Sequence, residues 1–391
     1  MSHQWLPSEL MYCGNVHPCS TVREMIEQID QYIIPIKKSR KLESMYLGVW
    51  FNCDLLADFY SNPQITEMLF DLMKKNSLII KSLNAFPQRE FHGVSIKENV
   101  YFPEWCEQSR LRYTLALAEF ISKRRDSFAK SISISTVPLG YKKSWTEQKQ
   151  RLAVDNLKQL AMSLSSMHRK TGVHIRVCLE MEPDCVLETT TEMITFLNQA
   201  LDYQNNQEIN NYIGVCFDVC HQAVMHESVK DSLNRLTREK INIGKIQVSN
   251  ALRFKSEHFE HVQPILAKYI NSPYLHQVKL LTSDGVKSIA DIDKDLSNHV
   301  EFSEEARIHF HIPINKRELS STLLTTQHEI IETVGSLSSL AIKPDVEVET
   351  YTWRIIDKEV TSNSLSHYLV DEINWLETEM RQYNLIQEYY E

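Results

Sequence analysis

Residues 212–218, YIGVCFD, form a short apolar run that ends in a single carboxylate. Runs of this length, rich in β-branched and aliphatic residues, are typical of parallel strands buried on both faces. Seven more such runs lie at residues 11–17, 46–52, 78–84, 131–137, 174–180, 244–249 and 345–349. The chain therefore has eight candidate parallel strands.

Amphipathic stretches separate most of these strands. Thr21 and Glu24 form a capping-box pattern before the stretch 22–34, which Pro35 is expected to end. From Leu152 onward, apolar residues recur at helical spacing, and Gly172 stands where this helix should end. Strands that alternate with helices predict an α/β fold, and the count of eight favours closure into a (β/α)8 TIM barrel.

An open, doubly wound sheet is the alternative architecture. Such sheets usually carry a glycine-rich loop that binds phosphate after a strand. The 391 residues include only nine glycines and contain neither a dinucleotide-binding nor a P-loop motif. The open sheet and nucleotide binding through a phosphate loop are therefore disfavoured.

The region 251–319 interrupts the alternation between the seventh and eighth strands. It contains YLHQVKLLTSDG and RIHFHIPI, which predict a hairpin within a long insertion. Because the βα loops build the active face of a TIM barrel, we expect this insertion near the barrel mouth. With no repeat or linker in the sequence, residues 1–391 are predicted to form a single TIM-barrel domain.

Composition narrows the possible partners. The formal net charge is −9, which disfavours nucleic acid as a partner because phosphate binding needs a basic surface. There is no apolar run of about 18 residues and no signal-peptide pattern, so we expect a cytoplasmic protein with no membrane partner. The eight cysteines form no C-x-x-C pair, so a disulfide framework is not expected. A small-molecule substrate or ligand is the expected partner.

Carboxylate, amide and imidazole side chains collect at the ends of the predicted strands. In a parallel barrel these ends share one rim, and several buried carboxylates meeting there would need a cation. Ion pairing with helix Arg or Lys is the alternative interpretation for Glu180 and Glu347. The strand-end residues are Asn15, His17, Glu180, Glu182, Asp218, His221, Gln247, Glu347 and Glu349, joined by Arg89 and His92 after the third strand and by His309 and His311 in the insertion.

Several of these motifs are similar to those of one superfamily. GVCFDVCHQA resembles the strand-six motif of the xylose isomerase-like barrels, which include sugar isomerases, epimerases and endonuclease IV. CLEMEPD resembles the strand-five motif and VEVETYTW the strand-eight motif, which places the metal-binding glutamates at Glu182 and Glu349. HFHIP resembles an endonuclease IV segment, with His309 and His311 in place of its Asp-x-His pair. Together with YCGNVHP, these motifs make the chain resemble the EboE family of metabolite traffic proteins.

The resemblance implies a site and a reaction. A divalent metal would be held by Glu182, Asp218, Gln247 and Glu349, and Glu182 and Glu349 would exchange a proton on the substrate. The implied function is a metal-dependent isomerase or epimerase of a sugar or polyhydroxy metabolite. The implied substrate contacts are His17, His92, His221, His309, His311 and Arg89.

Gln247 departs from the superfamily pattern, which usually has histidine at this position of strand seven. An amide oxygen is a harder ligand than imidazole, which favours Mn or Mg over Zn. The same change favours the alternative function, a non-catalytic carrier of a biosynthetic intermediate. Phosphodiester hydrolysis is disfavoured by the acidic charge and by the replaced ligands.

Overall fold

The computed structural model describes residues 3–89, 96–269, 272–292, 296–301 and 303–387. Its strands are β1 Leu10–Tyr12, β2 Met45–Trp50, β3 Leu78–Asn84, β4 Phe128–Thr136, β5 His174–Glu180, β6 Ile213–Asp218, β7 Ile243–Val248, β8 Asn250–Lys255, β9 Val278–Thr282, β10 Gly285–Ile289, β11 Glu305–Ile312, β12 Leu324–Thr325 and β13 Asp345–Val348. Its α-helices are α1 Val22–Gln28, α2 Ile34–Ser39, α3 Cys53–Ser61, α4 Pro63–Lys75, α5 Gln108–Lys123, α6 Glu147–Thr171, α7 Thr190–Thr195, α8 Gln207–Tyr212, α9 Val219–Val224, α10 Val229–Arg238, α11 Phe259–Leu266, α12 Leu296–Val300, α13 Gln327–Ser336, α14 Trp353–Ile356 and α15 Ser362–Gln382.

Eight of the strands form one parallel sheet in the order β1-β13-β7-β6-β5-β4-β3-β2. The two end strands, β1 and β2, also lie against each other, so the sheet curves into a nearly closed barrel. Helices connect the strands around its outside, as a (β/α)8 barrel requires. The predicted TIM barrel is therefore confirmed.

A buried ion pair occupies the barrel interior below the strand ends. The Lys245 ammonium lies 2.5 Å from Glu347, and neither side chain is exposed to solvent. Ser82 Oγ donates a further hydrogen bond of 2.9 Å to Glu347. A Cβ atom at Gly48 would lie 1.8 Å from Glu347 Oε1, so only glycine fits at that position of β2. Glu347 is thus paired with a lysine on the neighbouring strand, since an unpaired buried charge would be costly.

Most predicted strands agree with the observed ones to within three residues, but the first is much shorter. The prediction was 11–17, and β1 ends at Tyr12. Cys13 N–H still donates to Val348 O at 2.8 Å, and the chain then turns so that His17 N–H donates to Gly14 O. The turn at Gly14–Val16 replaces the second half of the predicted strand.

The predicted helix break at Pro35 is wrong. From α1 the chain continues through one wide π-helical turn, Ile29–Ile33, directly into α2. Pro35 is the second residue of α2 and follows this wide turn, so the helix passes through the proline. The predicted end of α6 is confirmed, because Gly172 caps it in the left-handed conformation with φ 75°. Leu152, predicted on the apolar face of this helix, is instead 46% exposed.

The insertion between β7 and β13 forms a second sheet. Its antiparallel strands run in the order β10-β9-β11-β8-β12, and β9 and β10 form the predicted hairpin. An apolar cluster of its own, which includes Phe254, Ile308 and Phe310, packs this sheet. The sheet extends to Thr325, six residues beyond the predicted insertion.

No helix in the described part of the chain combines the length and the apolar character that a membrane span requires. All eight cysteines are free thiols, as expected from their spacing.

Candidate active site

Four polar residues meet where neighbouring barrel strands end. Glu180 ends β5, Asp218 ends β6, Gln247 lies on β7, and Glu349 follows β13. The strand register places Gln247 directly beside Asp218, and Glu349 N–H donates to Val248 O at 3.0 Å. All four side chains are buried. The parallel register thus brings together residues that lie up to 169 positions apart in the sequence.

The amide nitrogen of Gln247 lies among three carboxylates. It donates to Glu180 Oε1 at 3.0 Å, to Asp218 Oδ2 at 3.3 Å and to Glu349 Oε2. The amide oxygen points away, because it accepts a hydrogen bond of 2.9 Å from the Cys216 thiol. The partly positive N–H groups of Gln247 therefore stand where a cation would otherwise sit between the carboxylates.

Burial reduces the charge of this carboxylate set. Desolvation and the neighbouring Asp218 raise the pKa of Glu349 to about 8. Desolvation and Glu349 raise the pKa of Glu180 well above its ordinary value. Burial also acts to raise the pKa of Asp218, but His221, His311 and a hydrogen bond from Ser249 outweigh it and lower that pKa. Asp218 is thus the carboxylate that keeps its charge most readily.

Three histidines form a second set beside the carboxylates. His221 lies in α9, whose N-cap is Asp218, and Asp218 Oδ1 accepts from His221 N–H at 3.0 Å. His309 and His311 lie two residues apart on β11 and project from the same face. His309 Nε2 is 3.1 Å from the Nε2 atoms of both His221 and His311.

Each of these rings is held at Nδ1 by an oxygen acceptor. His221 Nδ1 is 2.8 Å from Met181 O, and His311 Nδ1 is 2.9 Å from Glu349 O. His309 Nδ1 is 2.8 Å from Gln277 Oε1. Since these oxygens only accept, each Nδ1 carries the proton, and the Nε2 lone pairs of neutral rings would face one another. Second-shell hydrogen bonds of this kind fix imidazole ligands around metals.

Carboxylates complete the imidazole set. Glu182 Oε2 lies 3.0 Å from His221 Nε2, and Asp218 Oδ1 lies 3.8 Å from the same nitrogen. Ligand atoms of Glu182, His221 and His309, and likewise of Asp218, His221 and His311, all lie within 4.8 Å of one another. The donors present therefore fit a divalent metal.

The protonation of the three rings is uneven. Burial alone would lower the pKa of His221, but Asp218 and Glu182 raise it well above its ordinary value. Burial and the charge of His221 lower the pKa of His309 well below the ordinary value, and burial lowers the pKa of His311 to about 4. His221 is thus the ring of the three that most readily carries a second proton, next to Glu182 Oε2 and His309 Nε2.

A cavity opens over both sets. Its empty space, with the open mouth included, is about 540 Å³. Of the predicted site residues, Glu182, Glu349, His221, His309 and His311 line it, whereas Asp218 and Gln247 lie just beneath.

Two of the remaining predicted substrate contacts, His17 and Arg89, are not brought to this cavity. His17 is buried beside Tyr12 and Tyr32, with Tyr12 Oη 3.1 Å from its Nε2. Arg89 is exposed and is not among the described residues of the lining. His92 lies outside the described residues.

Three contributors to the site were not identified from the sequence. Tyr101 Oη donates to Glu182 Oε1 at 3.3 Å and accepts from Gln277 Nε2 at 2.7 Å. Asn15 was noted only as a strand end, yet its Nδ2 donates to Glu349 Oε1 at 2.7 Å. Tyr101 and Gln277 lie in connections with no motif around them, so only the folded chain reveals their role.

Solved structures match the chain over almost its whole length. L-ribulose 3-epimerase has a TM-score of 0.50 and 10% identity, covering 98% of this chain and 99% of that chain. The IolI protein with a bound zinc atom has a TM-score of 0.51 and 12% identity, covering 96% and 98%. A D-tagatose 3-epimerase-like protein has the same TM-score, identity and coverage. No protein-family model and no curated protein matches the sequence.

These matches define the class of fold. Eight parallel strands in a nearly closed barrel, together with these neighbours, show a (β/α)8 TIM-barrel fold that the chain shares with them. Identities this low show the fold alone. At one rim of this barrel, the three histidines lie beside the carboxylates that surround the Gln247 amide.

Proposed function

We propose that this protein is a metal-dependent isomerase or epimerase of a small polyhydroxy compound. The observation that carries the proposal is that His309 Nε2 lies 3.1 Å from the Nε2 atoms of both His221 and His311, at a cavity that Glu182 and Glu349 also line. Support comes from the fold neighbours, which include an epimerase and a zinc-bound protein.

We assign the metal to His221, His309, His311 and Glu182, with Asp218 in reach. The sequence-based ligand set was Glu182, Asp218, Gln247 and Glu349, but the Gln247 amide presents its nitrogen and not its oxygen. An imidazole-rich set suits first-row transition ions better than Mg. We therefore propose Mn or Zn. When bound, the ion would supply Lewis-acid polarisation of a substrate carbonyl and its neighbouring hydroxyl.

The chain's own residues would carry the proton transfer. Glu182 and Glu349 both line the cavity and would act as base and acid at the carbon between the substrate oxygens. Tyr101 orients the Glu182 carboxylate, and Asn15 orients that of Glu349. The pKa of Glu349, about 8, suits a group that gains and loses a proton near neutral pH.

The proposal is tested by metal content and solvent exchange. Purified protein loaded with Mn or Zn is incubated with L-ribulose or D-fructose in deuterated water, and deuterium at the exchangeable carbon is followed by NMR. We expect exchange by the wild type and at least a 100-fold loss, with metal retained, in Glu349→Gln. Absence of retained metal, or absence of exchange with every polyol supplied to metal-loaded protein, would contradict the proposal.

A carrier function is the second candidate, and one observation favours it. The Gln247 amide nitrogen lies between the carboxylates of Glu180 and Glu349, so both are hydrogen-bonded to a neutral group. The motif resemblance to the EboE metabolite traffic family is consistent with this function. A carrier would retain a ligand through purification, visible by native mass spectrometry, and would give no solvent exchange.

A further inference from the structure

The cavity has two chemically different halves. One part of its lining holds the carboxylates, imidazoles and amides of the site. The other part, the apolar half, consists of apolar side chains and two tyrosine rings among the described residues: Phe86, Pro87, Ile96, Val100, Tyr274, Leu275 and Tyr351. A ligand that fills the cavity must therefore be polar at one end only.

The apolar half is packed and begins directly at the histidines. The Tyr351 ring centroid is 4.6 Å from that of His311 and 5.0 Å from that of Tyr274. Ile96 belongs to the same cluster, and Val100 packs against it. A ligand held at the imidazole set thus has the aromatic ring of Tyr351 directly beside it.

The charges on the lining oppose a phosphorylated ligand. Lys97 is the only lysine or arginine among the described lining residues, and it is ion-paired with Asp291. Asp291 Oδ1 is itself held by the backbone N–H of His276 at 3.0 Å and of Ile292 at 2.9 Å. Three glutamates, Glu180, Glu182 and Glu349, line the same cavity. Phosphate recognition normally uses arginine, lysine or a helix N-terminus, so a phosphate group would be poorly matched here.

We infer that the substrate is an unphosphorylated, uncharged molecule with neighbouring oxygen atoms at one end and an apolar ring or chain at the other. The inference rests on the proposed function and narrows its substrate class. It sets this site apart from one for a sugar phosphate, which would be polar along its whole length.

Three hydroxamates with the same metal-binding group test the inference on metal-loaded protein by calorimetry. Acetohydroxamate supplies that group alone, benzohydroxamate adds an apolar ring, and phosphoglycolohydroxamate adds a phosphate. We expect benzohydroxamate to bind about 10-fold or more tighter than acetohydroxamate, because its ring would pack against the apolar half of the cavity. Phosphoglycolohydroxamate should bind no tighter than acetohydroxamate. Equal affinities, or tightest binding of the phosphorylated compound, would overturn the inference.

A pair of variants tests whether the apolar half causes the difference in affinity between benzohydroxamate and acetohydroxamate. Leu275, half-buried on the lining, is changed to lysine, and Leu152, exposed on α6, is changed to lysine as the matched control. Leu275→Lys should weaken benzohydroxamate about 10-fold and leave acetohydroxamate unchanged, while Leu152→Lys changes neither. An equal effect on both hydroxamates would contradict a specific apolar subsite.

A metal-free arm separates this inference from the proposed function. Metal content is measured in the same samples, so a protein that holds no metal refutes the proposed function directly. Metal-free protein should still bind 2-naphthol, followed by its fluorescence, and inorganic phosphate should not displace it. Failure of 2-naphthol to bind, or its displacement by phosphate, would overturn the inference whatever the metal content.

Discussion

The Nδ1–H groups of His221, His309 and His311 donate to oxygen atoms at 2.8–2.9 Å. In each neutral ring, the Nε2 atom therefore carries a lone pair and no proton. His309 Nε2 is left 3.1 Å from the Nε2 atoms of both His221 and His311, where bare lone pairs repel each other. A proton or a cation is needed at each of these two contacts. The pKa of His221 is raised, so its proton serves the contact with His309, but the pKa values of His309 and His311 are lowered, so the contact between those two rings is left without a proton.

Gln277 is the one side chain among these three acceptors, so its effect can be tested. We expect Gln277→Met to lower the affinity for Mn or Zn by about 10–100-fold, because His309 loses the bond that fixes its ring and tautomer. Affinity is measured by competition with a chelator of known strength.

Gln263→Met, at an exposed position of α11, is the matched control and should bind metal as the wild type does. If Gln277→Met keeps its melting temperature and also keeps full metal affinity, the ring of His309 does not depend on this bond.

At the scale of elements, one helix fixes two segments of the site. Glu372, buried in α15, accepts from Ile314 N–H at 2.9 Å and from Thr350 Oγ1 at 2.7 Å. Its second oxygen accepts from Trp353 Nε1 at 2.9 Å. Ile314 follows β11 with its histidines, and Thr350 follows Glu349. The single carboxyl group of Glu372 therefore holds the insertion and the last barrel strand in one arrangement.

This carboxyl group also gives the fold a pH dependence. Desolvation raises the pKa of Glu372 from 4.5 to about 7, although its three hydrogen bonds oppose the shift. Between these values the folded chain holds a proton that the unfolded chain has lost, so the free energy of unfolding falls as pH rises. The loss is roughly 1.4 kcal/mol per pH unit, or about 3 kcal/mol in all, and is complete above pH 7.

Urea unfolding of metal-free protein from pH 4 to 8 measures this slope. Glu372→Gln removes this titrating group. Across this pH range, the free energy of unfolding of the variant should therefore fall by about 3 kcal/mol less than that of the wild type. Glu359→Gln, an exposed position, should run parallel to the wild type. Parallel curves for Glu372→Gln would mean that this residue stays ionised in the folded protein.

The elements differ in how far the sequence predicts them. The strand 174–180 is predicted to the residue, because the apolar residues Ile175, Val177, Cys178 and Leu179 form a short run that ends at Glu180. The first strand is overestimated because Cys13 keeps its ladder bond while the turn at Gly14 begins immediately after it. The sequence predicts that the helix ends at Pro35, whereas the helix continues past it. A π-helical turn precedes the proline, and such turns have no recognisable sequence signature.

The site is predictable in its strand-end residues and not in the contacts between them. Strand alternation and motif identify Glu182, Asp218 and Glu349, since each follows or ends a recognisable apolar run. Which group faces which depends on distant parts of the chain. The orientation of Gln247, for example, is set by the thiol of Cys216 on the neighbouring strand.

For the molecule as a whole, the proposed metal ligands come from two sheets. Glu182 and His221 follow barrel strands, and His309 and His311 belong to the antiparallel sheet of the insertion. Each sheet has its own apolar cluster. A bound ion would therefore join two separately packed parts of the structure.

Metal should accordingly raise the melting temperature. At a free concentration 1,000 times its Kd, a ligand that binds only the folded state adds about 4 kcal/mol, which corresponds to roughly 5–10 °C for a chain of this size. Differential scanning calorimetry with and without Zn or Mn measures the shift, and Mg should produce little. His311→Asn should fold but show no shift.

The control for this experiment is His258→Asn, a position outside the cavity lining, which should respond to metal as the wild type does. An equal rise in His311→Asn and the wild type would place the ion elsewhere.

The spacing of the ligands along the chain also sets when the centre can form during synthesis. Glu182 is translated 129 residues before His311 (311 − 182), and at about 5–20 residues per second the ribosome needs roughly 6–26 s to cover that distance. Until the insertion emerges, a nascent barrel exposes two ligands without their partners. Binding of an ion at the proposed site would therefore follow translation of the insertion.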